Sequence, residues 1–174
     1  MLLGFMGAGK TTVGQILASR LGWTFLDTDA LVEARLGLPV DAIFAKLGEE
    51  SFRKCERDVV TDAVAESGTV IATGGGWPEP EGTVESLPPA TLSVWLRAPP
   101  EELLRRAQEQ QKNRPLLDVA DPIERTRRLL ERRAPRYARA QMHLMTAGKD
   151  PATVADAIAR RVSDQAQSER PKTT

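Results

Sequence analysis

Residues 4–11 carry the clearest chemical signal, because they follow the pattern G-x-x-x-x-G-K-[ST]. Glycines in such a loop let successive backbone N–H groups point at phosphate oxygens, in conformations that a Cβ would forbid. Lys10 can reach the β- and γ-phosphates of a nucleoside triphosphate, and the Thr11 hydroxyl can ligate Mg²⁺. A helix that begins at Lys10 places its positive end beneath the same anion. The pattern therefore predicts a triphosphate-binding segment, called the phosphate loop below.

Asp27 and Asp29 follow the second predicted strand directly. An aspartate in this position can cap the next helix, because its carboxylate accepts hydrogen bonds from first-turn N–H groups. Two carboxylates beside a triphosphate also have a chemical use. One can hold Mg²⁺ through water, and the other can accept a hydrogen bond from a substrate hydroxyl. Capping alone would explain one acid, and the pair favours the chemical use.

Three consecutive glycines at 74–76, called the glycine run below, follow an apolar strand. Such a run lets a ligand lie against the main chain, although a flexible turn would have the same composition. Ligands in open parallel α/β sheets bind beyond the carboxyl ends of the strands. We therefore expect the phosphate loop, the segment 27–29 and the glycine run to meet at one rim.

The residue pattern alone does not assign roles to the arginines. Arg53 lies on a long predicted helix, and Arg132, Arg133 and Arg136 lie in a basic run. An arginine in either setting is usually solvated. Composition alone does not show which of them faces a site.

Composition excludes several classes of function. Lys and Arg number 24 and Asp and Glu number 24, so no net charge attracts nucleic acid or an acidic membrane. No apolar run approaches the roughly 20 residues that span a bilayer, and no secretion signal is visible. The single cysteine, Cys55, fits a reducing cytoplasm. With one cysteine and one histidine, any metal must be held by oxygen, which suits Mg²⁺.

Helical and extended patterns alternate along the chain, which is typical of an α/β domain with a parallel sheet. Strands are predicted at 2–3, 24–26, 69–72, 91–96 and 141–145. Helices are predicted at 10–21, 28–36, 48–67, 100–110, 122–134 and 150–163. The strand before the phosphate loop and the helix after it argue against a chance match.

The predicted organisation is a single domain over residues 1–163. Residues 79–90 are rich in proline and acid and are interpreted as a surface connection. Residues 107–121 are polar with a proline break, and we expect a mobile lid there. The polar residues 164–174 are expected to form a disordered tail.

Six motifs occur in order along the chain: G-F-M-G-A-G-K-T-T-V-G at 4–14, F-L-D-T-D at 25–29, E-E-S-F-R-x-x-E at 49–56, A-T-G-G-G at 72–76, R-P-L-L at 114–117 and R-A-P-x-Y at 133–137. Together they resemble the shikimate kinase family, in the family's order and covering the chain to about residue 160. The first motif is shared with many kinases, whereas the combination is specific.

This resemblance implies ATP-dependent phosphorylation of the 3-hydroxyl of shikimate, giving shikimate 3-phosphate and ADP in the biosynthesis of chorismate and the aromatic amino acids. It implies the three-layer P-loop NTPase fold of nucleoside monophosphate kinases. In that fold a five-stranded parallel sheet of order 2-3-1-4-5 has helices on both faces and a mobile lid. It also implies Mg²⁺ as cofactor, shikimate and ATP as small-molecule partners, and a cytoplasmic monomer that binds neither nucleic acid nor membrane.

The resemblance also gives roles to matching residues. Lys10, Asp29 and Arg114 are the expected catalytic residues, and whether Asp29 removes a proton or only orients the hydroxyl stays open. The acceptor would be bound by Asp29, Arg53, Gly75, Gly76 and Arg133, the last chosen over Arg132 from its spacing to Tyr137. The nucleotide would contact Gly7, Ala8, Gly9, Lys10, Thr11, Thr12 and Arg114, and the metal would contact Thr11 and Asp27.

One departure from the family concerns the first strand, which ordinarily begins several residues earlier. Here only Met1, Leu2 and Leu3 precede the loop, which suggests a late start site or a shortened strand. We expect four to six apolar residues added before Met1 to raise thermal stability, with no change counting against the idea.

Two alternatives remain beside this interpretation. A gluconate kinase has the same architecture and also phosphorylates a polyhydroxy acid; the D-T-D and F-R-x-x-E motifs argue against it. A nucleotide-binding regulatory module without catalysis would tolerate decay of the acceptor residues. Asp29, Arg53, Gly75 and Arg133 are all present, which favours an enzyme.

Overall fold

The computed structural model describes residues 1–109 and 120–168, without the side chain of Ser168. Within these ranges the chain forms a five-stranded sheet in which all neighbouring strands are parallel. The strands are β1 (Leu2–Leu3), β2 (Thr24–Asp27), β3 (Thr69–Ala72), β4 (Val94–Arg97) and β5 (Met142–Met145). Their order in the sheet is β2-β3-β1-β4-β5, as the resemblance implied.

Helices cover both faces of this sheet. They are α1 (Lys10–Leu21), α2 (Thr28–Leu36), α3 (Val40–Ala65), α4 (Pro100–Glu109), α5 (Pro122–Tyr137) and α6 (Pro151–Ser168). Because successive strand residues point to opposite sides, Leu2 packs in one core cluster with α1 and α6, whereas Leu3 packs in another with α3 and Tyr137. None of the helices within the described ranges is both long and apolar enough to cross a bilayer.

The shortest strand, β1, lies at the centre of the sheet. Leu2 is in register with Ala72 of β3 and Val94 of β4, so two residues fix the start of the phosphate loop between two strands. The Met1 amino group is buried and donates a hydrogen bond to Leu92 O at 2.7 Å. Burial lowers the pKa of this ammonium to about 5.

Four predicted boundaries were wrong by three residues or more. Helix α3 begins at Val40 rather than at residue 48, because Gly48 (φ 81°) interrupts a helix that had already started. Helix α5 continues through Pro135 to Tyr137, three residues beyond the predicted end. Helix α6 reaches Ser168, so residues 164–168 are helical where the tail was expected. Strand β4 begins at Val94 rather than at residue 91.

Of the remaining predicted segments, the connection at 79–90 is fully described. It contains turns and no helix or strand, but it is not wholly at the surface, because Val84 is buried in a core cluster. Of the expected lid at 107–121, residues 107–109 complete α4, and 110–119 lie outside the described residues. The end of the predicted tail, 169–174, also lies outside them.

Candidate active site

The phosphate loop depends on glycine at two positions where backbone and space both forbid a side chain. Gly4 has a φ of 145°, and a Cβ there would lie 2.6 Å from Leu96 O. Gly7 has a φ of 75°, and a Cβ there would overlap the Leu103 carbonyl oxygen. The loop therefore packs so closely against β4 and α4 that its backbone conformation requires glycine at both positions.

Helix α1 starts directly after this loop and points its N-terminus into it. Gly9, in a left-handed conformation (φ 92°), is the N-cap and makes no side-chain capping bond. The N–H groups of the first turn are thus directed at the position an anion would take. Lys10 Nζ donates to Gly4 O at 2.8 Å and to Phe5 O at 3.0 Å, which places the cation across the mouth of the loop.

Thr11 and Asp27 meet beside the loop, where two oxygen donors are held together. The Thr11 hydroxyl donates to Asp27 Oδ2 at 3.1 Å. Asp27 Oδ1 accepts a hydrogen bond from the Asp29 N–H at 3.1 Å and so caps α2. Capping and metal binding are therefore compatible, because each uses a different carboxylate oxygen. Two hard oxygens beside a triphosphate fit Mg²⁺, which takes its other ligands from phosphate and water.

A larger cluster of metal ligands is not present in the described part of the chain: no three His, Cys, Asp or Glu side chains converge there.

Asp29 lies next to the glycine run. A Cβ at Gly74 would lie 2.9 Å from Asp29 Oδ1, so only glycine lets the carboxylate approach the backbone there. Burial and, after it, the charge of Asp27 raise the pKa of Asp29, while Lys10 and Arg53 act in the opposite direction. A carboxylate with a raised pKa is a better proton acceptor than a solvated one.

Arg53 and Glu56 form an ion pair one helical turn apart on α3, with Nη1 donating to Oε2 at 2.6 Å. Glu56 is only 1% exposed, and its Oε1 has no hydrogen-bond partner among the described residues. Burial raises the pKa of Glu56, and Arg53 partly offsets this. A Cβ at Gly76 would lie 2.9 Å from Arg53 Cζ, so the guanidinium lies directly against the glycine run.

Arg133 approaches the glycine run from α5. Its side chain is 7% exposed, and its guanidinium lies 5.6 Å from the centre of the Phe5 ring in the phosphate loop. A Cβ at Gly75 would lie 3.6 Å from Arg133 Nη1. The buried Tyr137 hydroxyl donates to Gly75 O, which fastens the glycine run to the same helix. Arg132, by contrast, has a side chain 63% exposed.

The structure thus brings most of the predicted residues to one rim. Lys10, Thr11, Asp27 and the phosphate loop form one side, and Asp29, Arg53, Gly75, Gly76 and Arg133 form the other. Thr12 lies exposed in the first turn of α1. Arg114 lies outside the described residues, so its predicted role is not placed.

Sequence reasoning missed two acids of this rim, Glu56 and Glu79. Glu56 was part of a quoted motif, and its spacing of three from Arg53 on a helix was a usable signal for an ion pair. Glu79 gave no such signal, because its partner Arg133 is 54 positions away.

Comparison with known proteins agrees with this geometry. The shikimate kinase family model matches residues 6–163. The shikimate kinase of Moorella thermoacetica is 48% identical over 158 residues, which cover 91% of this chain and 90% of the relative. The structure of an Acinetobacter baumannii shikimate kinase in complex with shikimate superposes with a TM-score of 0.86, at 37% identity, covering 94% of this chain and 92% of that one.

The rival considered from the sequence is also among the structural neighbours. A gluconokinase from Sinorhizobium meliloti covers 97% of this chain and 95% of its own, with a TM-score of 0.63 at 17% identity. An identity this low shows a shared fold alone. The family match, the identity to relatives and the placement of the motif residues around one rim lead to one conclusion: the chain belongs to the shikimate kinase family.

Proposed function

We propose that the rim between the phosphate loop and the glycine run catalyses ATP-dependent phosphorylation of the 3-hydroxyl of shikimate. The products are shikimate 3-phosphate and ADP, in the biosynthesis of chorismate and the aromatic amino acids. One observation supports the arrangement best. Two guanidinium groups, of Arg53 and Arg133, flank the same glycine run beside the buried carboxylate of Asp29.

The donor side binds ATP through the backbone N–H groups of the phosphate loop and the N-terminus of α1. Lys10 exchanges its carbonyl partners, Gly4 O and Phe5 O, for phosphate oxygens. Thr11 and Asp27 hold Mg²⁺, which neutralises charge on the triphosphate when it is bound. Arg114 remains a predicted contributor to this neutralisation.

The acceptor side binds shikimate through its carboxylate and hydroxyl groups. A planar guanidinium matches a carboxylate with two parallel hydrogen bonds, so Arg53 and Arg133 select an acid. The glycine run has no side chains and lets the ring of the substrate lie against the backbone. Asp29 accepts a hydrogen bond from the hydroxyl that is phosphorylated, and its raised pKa suits it to receive the proton.

The wider setting is also part of the proposal. The enzyme works as a cytoplasmic monomer, and its partners are small molecules. The balanced charge of 24 basic and 24 acidic residues gives no field that would favour nucleic acid.

ADP release with Mg²⁺ and ATP tests the proposal over a panel of acceptors: shikimate, quinate, gluconate and nucleoside monophosphates. We expect turnover with shikimate far above the others, and a phosphorylated 3-hydroxyl in the ³¹P NMR spectrum of the product. Preferred turnover of gluconate would replace the assignment with the rival kinase. Nucleotide binding without turnover of any acceptor would favour the regulatory module instead.

A further inference from the structure

Glu79, in the connection after the glycine run, contacts the buried arginine of the acceptor side. Its Oε1 accepts a hydrogen bond from Arg133 Nε at 2.5 Å and a second from Arg132 Nη2 at 3.0 Å. Burial raises the pKa of Glu79, but the hydrogen bonds and charges of Arg133 and Arg132 outweigh it and hold the pKa below its usual range. Glu79 is therefore ionised at neutral pH, as a carboxylate partner of the acceptor arginine.

The bond to Nε matters because of the shape of the guanidinium group. Arginine presents its donors in a fixed planar fork, so a partner at Nε determines where the two Nη groups point. In Arg133 the Nη1 atom lies towards Gly75, and the Phe5 ring covers the group from the side. Glu79 thus occupies the edge of the fork away from the glycine run.

Other acids in the same stretch make similar pairs, which provides an internal comparison. Within the acidic segment, residues 79–85, Glu81 pairs with Arg136 at 3.2 Å and Glu85 pairs with Arg139 at 3.3 Å. These two pairs lie at the surface: Glu81 is 84% exposed, and the Arg139 side chain is 62% exposed. Exposed pairs of this kind contribute little. Among the three pairs, the one from Glu79 reaches a buried guanidinium.

We propose that Glu79 is a positioning residue for acceptor binding, which holds Arg133 by its Nε so that its Nη edge faces the carboxylate of shikimate. This rests on the proposed function, in which Arg133 binds that carboxylate. Glu79 does not touch the substrate. It fixes the orientation of a side chain that would otherwise rotate about four bonds, and so lowers the entropy lost when the substrate binds.

The opposite effect is physically conceivable, because a carboxylate paired with Arg133 also neutralises the charge that attracts the substrate. The geometry favours positioning over competition. Glu79 binds Nε, whereas a substrate lying on the glycine run would meet the Nη groups, so the two carboxylates use different edges of one fork. The two models predict opposite signs for the change in shikimate affinity.

The experiment compares Glu79→Ala with Glu81→Ala in steady-state kinetics, together with calorimetric binding of shikimate. Losing a charge-assisted hydrogen bond that orients Arg133 should raise the KM and Kd for shikimate about tenfold. The KM for ATP and kcat should stay within about twofold to threefold of the parent. Glu81→Ala removes an exposed pair from the same segment and should change none of these values. Glu79→Gln keeps an acceptor for Nε and should lie between the parent and Glu79→Ala.

Two further measurements separate positioning from a structural role. Shikimate methyl ester lacks the charged carboxylate, so Glu79→Ala should leave the KM for the ester nearly unchanged. In an Arg133→Met background, adding Glu79→Ala should raise the KM for shikimate less than twofold, because the group it orients is gone.

Several outcomes would overturn the inference. A lower shikimate KM in Glu79→Ala would establish competition. An unchanged KM, an equal loss for acid and ester, or an equal loss in the Arg133→Met background would each remove the positioning role. The proposed function is tested separately, with the unsubstituted protein as the parent. If the parent binds shikimate without turnover, the activity is wrong and the calorimetric comparison still decides on Glu79; if it binds none, both fall.

Discussion

The donor side of the candidate site is formed mainly by backbone, whereas the acceptor side is formed mainly by charged side chains. The phosphate loop is backbone, and its glycines at 4, 7 and 9 have φ angles of 145°, 75° and 92°. The acceptor side is made of charged side chains, with Arg53 paired to Glu56 and Arg133 paired to Glu79. The glycine run lies beside these arginines, and none of its glycines has a positive φ. Glycine is required at Gly74 and Gly76 only because a Cβ there would lie too close to neighbouring side-chain atoms.

This difference has consequences for how each side responds to change. A backbone site is rigid, because its shape is fixed by allowed φ and ψ values and by neighbouring strands. A site made of paired charges is adjustable, because each arginine keeps its position only while its acidic partner holds it. We therefore expect changes in the phosphate loop to act on catalysis, and changes at the acceptor-side arginines and their acidic partners to act on shikimate affinity.

The largest effect is expected on the donor side, from Lys10→Ala. The triphosphate then loses the side-chain cation that lies across the loop, and kcat should fall by at least about 10²–10³-fold. Calorimetry should find shikimate binding nearly unchanged, since the acceptor arginines are untouched. Lys54→Ala, an exposed lysine of α3, is the control and should keep parental activity. Substantial residual turnover in Lys10→Ala would contradict the role given to this cation.

The contrast between the two sides also explains what the sequence could predict. Strands Leu2–Leu3 and Thr69–Ala72 and helices Lys10–Leu21 and Thr28–Leu36 were predicted with their observed bounds. Both helices end at a glycine with a φ of 67°, Gly22 and Gly37, which is a local stop signal visible in the residues themselves. Backbone features of this kind are determined by neighbours in the chain.

The pairing of distant side chains is harder to predict from the sequence. Composition and helical periodicity did not separate Arg133 from Arg132, because the difference depends on which face of α5 packs against Phe5. Only the spacing to Tyr137 within the family motif favoured Arg133. Glu79 lies in a stretch without periodicity, so no helix or strand pattern indicated where it points. The start of α3 was missed for a local reason, since Gly48 resembles a helix boundary and is in fact a break between two helical parts.

An intermediate effect is expected at the glycine run, where two neighbouring substitutions differ in one physical respect. A Cβ at Gly76 would lie 2.9 Å from Arg53 Cζ, whereas a Cβ at Gly75 meets its nearest atoms at 3.6 Å, an ordinary contact. Gly76→Ala should therefore displace Arg53 from Glu56 and raise the KM for shikimate about tenfold, the loss expected for a bond between charged groups. Gly75→Ala should have the smaller effect, and neither should change the KM for ATP more than about twofold.

Steady-state kinetics of both variants test this prediction, and thermal unfolding checks that both variants fold. If Gly75→Ala proves the more damaging, or if both variants lose ATP affinity equally, the glycine run does not serve as space for Arg53. The result would then point to a backbone requirement like that of the phosphate loop, and the contrast between the two sides would disappear.

The smallest predicted effect is on the pH dependence of stability. It tests whether the buried carboxylates of the acceptor side destabilise the folded chain when no substrate is bound. Asp29 and Glu56 both have raised pKa values, in each case chiefly because of burial. The folded chain therefore binds more protons than the unfolded chain between the unfolded pKa, near 4, and the raised one. The free energy of unfolding must fall as pH rises through that window, by up to about 1.4 kcal/mol per pH unit for one group.

Other acids obscure this trend in the parent protein alone. Glu79 has a lowered pKa, so its contribution to stability has the opposite sign and is lost as pH falls. The difference between parent and Asp29→Asn, measured by denaturant unfolding from pH 4 to 8, isolates the group of interest. The parent should lose stability relative to the variant as pH rises, and Glu56→Gln should give the same sign. Glu50→Gln, exposed on the same helix as Glu56, controls for the removal of one negative charge. A difference that does not change with pH would mean that these carboxylates are well solvated, and one that grows in favour of the parent with rising pH would mean that they are fully paired. Either result would show that the acceptor side stores no such cost.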